Sequence, residues 1–212
     1  MNGLRINLGC GINAPRHWIN LDSSFRVWLD KVPLLHLFGY RRRFPLWVRR
    51  YNVTKRLPFP DHSAEFIYSS HMIEHLTREE AEQLLRECSR VLAPSGRIRI
   101  MTPNVRFSVE NYLARRKDAA KRQDAADLFM NWLGLLEESD DSSGYFQNLV
   151  RRFQRKNVHK WLYDEFSLPA LMESSGFHGV VAKDDWVSDF PDLDALEPSD
   201  LREGSVCAEG YR

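Results

Sequence analysis

A chain of 212 residues can hold one substantial α/β core and does not demand a second. Thirty basic against 29 acidic residues leave a net charge of +1, which argues against wholesale nucleic-acid binding, where a strongly basic surface is expected. Cys10, Cys88 and Cys207 have neither disulfide nor metal-ligand spacing, no apolar run approaches the ~18 residues of a membrane span, and the opening MNGLRINLGCG lacks signal-peptide regions, so a cytoplasmic protein is expected.

In chain order, Leu4 to Leu8 reads as a short buried strand running into Gly9-Cys10-Gly11. Trp18 to Leu21 reads as a second strand ending at Asp22, and residues 25–51, rich in Trp, Phe and Arg, fit no strand. Leu57-Pro58-Phe59-Pro60-Asp61 is turn chemistry, its two prolines excluding a helix interior. Glu65 to Ser69 reads as a third buried strand. A helix follows over 78–92, with Ala81, Leu84, Leu85, Cys88, Val91 and Leu92 at helical spacing. Thr77 is its expected N-cap and Glu80 completes a capping box. Pro94-Ser95-Gly96 is expected to end it, before a strand over Arg97 to Met101. Residues 105–156 are charged and mostly helical, broken by a loop at 139–144. A helix over 164–174, a stop at Gly176 and strands near 180–183 and 205–209 complete the pattern. The alternation predicts an α/β fold with a parallel sheet and helices on its faces. One domain spans 1–212, with insertions at 25–51 and 105–158 forming a cap over the active site.

Two features carry chemistry. Glycines directly after a first parallel strand let a ligand approach the backbone, which points to Gly9, Cys10 and Gly11. Asp22, ending the second strand, can accept hydrogen bonds from both hydroxyls of a ribose; its alternative use is to close a turn with Ser23 and Ser24. Ala14 stands where the third glycine of a G-x-G-x-x-G fingerprint would be, which disfavours an NAD-dependent oxidoreductase.

The ordered set LGCG (8–11), INLD (19–22), YNVTKRLPFPD (51–61), EFIYSSHMIEHL (65–76), LLRECSRVLAPSGRIRIMTPN (84–104) and LMESSGF (171–177) resembles the class I S-adenosylmethionine-dependent methyltransferases. It is most similar to a branch of small predicted methyltransferases often found near glycan and polysaccharide biosynthesis genes. The resemblance implies a Rossmann-like, mostly parallel sheet of seven strands with an antiparallel last strand, for which GSVCAEGYR (204–212) is the candidate. It implies S-adenosyl-L-methionine as cofactor, leaving as S-adenosyl-L-homocysteine. The methionine part would lie over Gly9, Cys10 and Gly11, the ribose at Asp22, and the adenine at Asn52, where the family often has an acidic residue, and at the backbone of Val53. Ser69, Ser70 and His71 would face the sulfonium. Only Ile12 to His17 separate Gly11 from Trp18, so the usual first helix must be shortened almost to nothing.

A hydroxyl acceptor usually needs a general base. His71 is the preferred candidate, with Glu74 and His159 behind it. Glu74 and His75 belong to the EHL segment, where side chains more often brace the pocket floor, and His159 would either close over the substrate or lie on the surface. No metal site is predicted. Segment 25–51 combines Trp28, Phe38, Tyr40 and Trp47 with Arg41, Arg42, Arg43, Arg49 and Arg50, a set that suits a sugar, a phosphate-bearing carrier or a peripheral membrane contact, or else a packed cap with a basic face. Segment 105–156 suits a lid or a homodimer contact. The expected activity is methyl transfer, at oxygen, to a small molecule or glycan intermediate, with no nucleic-acid partner. The alternatives are a methyltransferase-like binding protein without turnover and, behind it, an NAD-dependent oxidoreductase.

Overall fold

The computed structural model describes residues 3–33, 41–134, 158–183, 187–197 and 199–212. Its strands are β1 (Leu4–Leu8), β2 (Ile19–Asp22), β3 (Arg49–Arg50), β4 (Ala64–Ser70), β5 (Leu92–Pro103), β6 (His178–Lys183) and β7 (Ser205–Tyr211). The helices are α1 (Arg26–Leu29), α2 (Arg78–Val91), α3 (Val105–Lys117), α4 (Ala125–Trp132), α5 (Ser167–Ser174) and α6 (Leu193–Leu196). The strands form one seven-stranded sheet in the order β3-β2-β1-β4-β5-β7-β6. Every pair from β3 to β5 is parallel, and β7 runs antiparallel to both neighbours. This is the Rossmann-like sheet with an antiparallel last strand that the sequence led us to expect.

Period-two alternation builds the main core. Ile6, Leu8, Ile67, Ile98, Ile100, Val206 and Ala208 present one apolar face, onto which α2 packs Ala81, Leu84, Leu85, Cys88 and Val91, and α5 packs Leu168, Leu171 and Met172. The capping box of α2 forms as expected: Thr77 Oγ1 accepts from the Glu80 N–H at 3.2 Å, and Glu80 Oε2 accepts from the Thr77 N–H at 2.8 Å. Asp164 Oδ1 accepts from the backbone N–H groups of Phe166 (3.1 Å) and Ser167 (2.7 Å), so Asp164 starts the turn and helix α5 begins three residues later.

Two local expectations are corrected. Residues 25–51 do contain a strand: Arg49 and Arg50 pair with Leu21 and Asp22 at the sheet edge. Two exposed arginines carry no apolar alternation, which is why the pattern hid them. Second, α2 ends at Val91 rather than at the Pro94 turn, because Leu92 already pairs with Ala64. The ladder resumes with Arg97 opposite Phe66, so Pro94-Ser95-Gly96 forms a bulge inside β5, with Ser95 left-handed at φ 65°. The loop expected at 139–144, and Phe38 and Tyr40, lie outside the described residues.

No helix connects β1 to β2; residues 9–18 make only turns. The second sheet face is covered instead by the segment leading into β7. Trp18 and Tyr68 pack with Phe190 and Leu196, with Phe66 and Leu193 beside them. Asp192 accepts from Trp18 Nε1 (3.0 Å) and Arg5 (2.9 Å), and contacts His17 Nε2 at 2.8 Å. Arg99, fully buried in the middle of β5, is held by both oxygens of Glu197 (2.8 and 2.7 Å) and by Glu209. Among the described residues no helix is long and apolar enough to cross a membrane.

Candidate active site

The parallel registers Leu21↔Leu8 and Leu8↔Ser69 bring the carboxyl ends of β2, β1 and β4 into one row. That row presents Asp22, Gly9 to Gly11, and Ser69 to His71, at the edge where open α/β sheets bind ligands. The sequence candidates for the cofactor therefore come together.

Gly9 and Gly11 both have left-handed backbones, with φ 66° and 52°. Their surroundings differ. A Cβ on Gly9 would lie 2.4 Å from Met72 Cγ, so this glycine is required by the side chain packed on it. A Cβ on Gly11 would meet nothing within 4 Å and would point into open space. The Gly11 N–H donates to Asp22 Oδ2 at 3.0 Å and the Ser24 N–H to Oδ1 at 2.8 Å. Asp22 thus closes the turn with Ser24 and ties two strand ends together, while each carboxylate oxygen keeps a lone pair for a further donor. Burial pushes its carboxyl up, against the pull of those two backbone bonds. Burial, and the charge of Asp22, push the Cys10 thiol up strongly. Cys10 packs with Ala14, Val27 and Val48 in a satellite core.

Asn52 follows the Tyr51 N–H, which donates to the Asp22 carbonyl at 2.9 Å, so the two side chains sit at adjacent strand ends. Its Oδ1 already accepts from Thr54 N–H (3.2 Å) and Oγ1 (3.0 Å). Val53 buries its side chain in the main core, so only its backbone is available. A Cβ on Gly11 would thus stand in open space beside the Asp22 carboxylate, and on the neighbouring strand Ser69 has a buried Oγ with no hydrogen-bond partner.

The turn after β4 carries the titratable groups. His71 is left-handed at φ 48°. Its Nε2 lies 3.3 Å from the Leu201 carbonyl and 3.2 Å from the Ser205 hydroxyl, which itself donates to Leu201 at 2.8 Å; with the proton on Nε2, the Nδ1 lone pair stands 3.7 Å from Glu74 Oε1. Desolvation lowers the His71 pKa, partly offset by the Leu201 bond. Glu74 is wholly buried: Thr102 Oγ1 donates to Oε2 at 3.0 Å, whereas Oε1 accepts no hydrogen bond. Burial pushes its carboxyl up to about 7, against its own backbone and Thr102. The Glu74 carbonyl accepts from the N–H groups of Lys160 (2.7 Å) and Trp161 (3.2 Å), which docks the segment bearing His159 onto this turn. His75 and His159 rings meet edge to face with centroids 5.1 Å apart, and desolvation, with His75 and His71 adding, pushes His159 down to about 4. His159 is therefore half-buried against the turn after β4.

Met72, Thr102 and Tyr163 were not singled out from the sequence. Thr102, a polar residue at the carboxyl end of a buried strand, carried a usable signal; the contacts of Met72 and Tyr163 are purely tertiary. In the first insertion a cavity of about 650 Å³ opens against Arg16, Arg42, Pro45, Leu46 and Trp47. The Arg16 guanidinium lies 4.5 Å from the Trp47 ring, and Trp47 Nε1 donates to the Ala14 carbonyl at 2.8 Å. Two of the aromatic and arginine candidates, Trp47 and Arg42, line it; Arg41, Arg43, Arg49 and Arg50 are exposed.

Residues 32–100 match a protein-family model described as a methyltransferase domain. A probable S-adenosylmethionine-dependent methyltransferase of Mycolicibacterium smegmatis is 35 % identical over 107 residues, which cover 47 % of this chain. The match spans only 37 % of that relative's length. An S-adenosylmethionine-dependent methyltransferase from Mesorhizobium loti superimposes with a TM-score of 0.53 at 19 % identity, over 100 % of this chain and 92 % of that one. A structure of the Haloferax volcanii Trm112 methyltransferase activator in complex with a methyltransferase gives 0.50 at 14 % identity, over 99 % and 82 %. The chain has the fold of the S-adenosylmethionine-dependent methyltransferases, and the family match lies within that fold.

Proposed function

We propose that the chain is an S-adenosylmethionine-dependent methyltransferase acting at a hydroxyl of a small molecule or glycan intermediate. The observation that carries this is the unfilled space at Gly11 beside Asp22, in a strand row whose order matches the methyltransferase fold. The cofactor supplies a methyl group on an electron-poor sulfur, so the protein mainly aligns the acceptor and excludes water. Asp22 would receive the ribose hydroxyls, and the Gly9 to Gly11 backbone would follow the methionine part. With the cofactor bound, the acceptor oxygen would take the methyl group and the sulfur would keep the electron pair of the broken bond. The hydroxyl proton would pass to Nδ1 of His71, whose other nitrogen lies against Leu201 and Ser205. The Arg16–Trp47 cleft, a flat ring beside guanidinium groups, suits a sugar or phosphate of the acceptor.

Calorimetry with S-adenosylhomocysteine and, separately, NAD tests the reading. Saturable binding of the first and none of the second is expected; the reverse would establish the dinucleotide alternative. Saturable cofactor binding without product on any hydroxyl acceptor would favour a binding protein without turnover. His71→Gln should lower kcat by about 10²-fold or more with cofactor affinity unchanged. Loss of affinity at unchanged kcat would make His71 a binding residue instead.

A further inference from the structure

Glu74, His75 and His159 offer one carboxylate oxygen and two imidazole nitrogens that all lie within 4.8 Å of one another. We propose that these three side chains form a divalent transition-metal site at the methyl-transfer end of the crevice, where the ion binds the acceptor oxygen. Its catalytic role rests on the methyltransferase reading above; the binding itself does not.

One atom in the cluster wants a partner. Glu74 Oε1 is wholly buried and accepts no hydrogen bond. A buried carboxylate oxygen left unpaired is destabilising, and a bound cation would supply the missing partner. Among the described residues Glu74 has only imidazoles, of His71 and His75, as ion-pair neighbours. The nearby Lys160 ammonium is spent on Glu80 at 3.0 Å.

The supporting contacts are those a ligand set needs. His75 Nδ1 lies 3.3 Å from the Val158 carbonyl, which fixes its proton and leaves Nε2 directed to Glu74 Oε1 at 4.0 Å. Thr102 orients the Glu74 carboxylate through its other oxygen. The backbone bonds from Lys160 and Trp161 to the Glu74 carbonyl keep His159 against the turn. Ligands around one ion with bonds near 2.1 Å sit about 3–4 Å apart, so closure requires side-chain rotations of roughly an ångström. Two imidazoles with one carboxylate select manganese, iron, cobalt or zinc over magnesium or calcium. Such a face leaves adjacent positions open, which suits an acceptor presenting neighbouring oxygens, as a diol does. A hydroxyl on the ion gives up its proton more readily, beside His71 Nδ1.

The chelator-stripped full chain is titrated calorimetrically with Mn²⁺ and with Zn²⁺, without cofactor, and Co²⁺ loading is read by its visible absorption. One equivalent should bind, with a Co²⁺ spectrum of mixed nitrogen and oxygen ligation. Glu74→Gln and His159→Gln should each weaken binding by about 100-fold or more, the upper end of the loss that even supporting residues produce. His17→Ala, remote from the cluster, should bind as the parent does. Absence of binding to the parent chain, or equal binding by parent and both variants, overturns the site. S-adenosylhomocysteine affinity is measured on the same metal-free samples. If it binds and metal does not, only this inference falls; if metal binds and it does not, the methyltransferase reading falls and the site stands.

Discussion

Asp22 holds the glycine turn and is the residue proposed to meet the ribose, and a substitution has to separate the two. Removing the carboxylate would free the Gly11 and Ser24 N–H groups and loosen the glycine turn itself. Asp22→Asn keeps one acceptor oxygen and removes the charge. We expect S-adenosylhomocysteine affinity to fall by about 1–3 kcal/mol, the loss of hydrogen bonds to a charged acceptor, with a melting temperature shifted by only a few degrees. Unchanged affinity in calorimetry would take Asp22 out of the site. The pH response has a definite sign. Burial raises the Asp22 pKa above the model-peptide value of 3.8, so the folded chain takes up this proton more readily than the unfolded one. Its contribution to stability is complete below 3.8 and is lost as pH rises through the folded value. Ligand binding runs the opposite way, because ribose hydroxyls need an acceptor. Affinity measured on a falling pH scale should decline earlier than an exposed aspartate would allow, and the Asn variant should lack that decline. The glycines and Asp22 were legible because their chemistry is local. The union of His75 with His159 was not, since it depends on a docking contact that no spacing encodes.

Among the elements, α2 is the clearest case of local signals agreeing with the fold. Its apolar positions, cap and capping box point the same way, and all but Leu92, which opens β5, are realised. Thr77→Ala removes the Oγ1 acceptor for the Glu80 N–H and should cost about 1 kcal/mol. Chemical denaturation should show that as a lower midpoint at unchanged slope; a loss below about 0.3 kcal/mol would mean the Glu80 arm suffices alone. The strands of the main core were legible for the same reason, as buried runs bounded by turn residues. The two-residue β3 and the bulge in β5 were not. Arg49 and Arg50 join the sheet by backbone pairing alone, and Pro94-Ser95-Gly96, a good helix stop, is used inside a strand because Leu92 has already found Ala64. Element type followed composition; element limits followed register.

At the scale of the whole molecule, the missing helix between β1 and β2 sets the problem that the chain end solves. A sheet face carrying Tyr68, Arg97 and Arg99 is too polar for an ordinary amphipathic helix to cover, and the 187–197 segment supplies both apolar cover and countercharge. Phe190 stacks on Trp18 at 6.2 Å and meets Phe66 edge-on at 5.4 Å, while Glu197 and Glu209 neutralise the fully buried Arg99. A buried pair can be energetically near neutral, yet removing one member leaves the other desolvated and uncompensated. Arg99→Met keeps most of the volume and leaves Glu209 with Arg97 (2.9 Å) and buried Glu197 with only the longer contact to Arg202 (3.5 Å). We expect a loss of about 3–5 kcal/mol. The double substitution Arg99→Met with Glu197→Gln should recover part of it, because the Glu197 charge is gone. Both carboxylates lie on the face opposite α2, so cofactor affinity in the folded fraction should change little in either variant. If Arg99→Met left stability intact while affinity collapsed, the network would belong to the crevice and not to the sheet. A full loss of stability with no recovery in the double variant would instead make the packing of the arginine stem, rather than its charge, the stabilising contact.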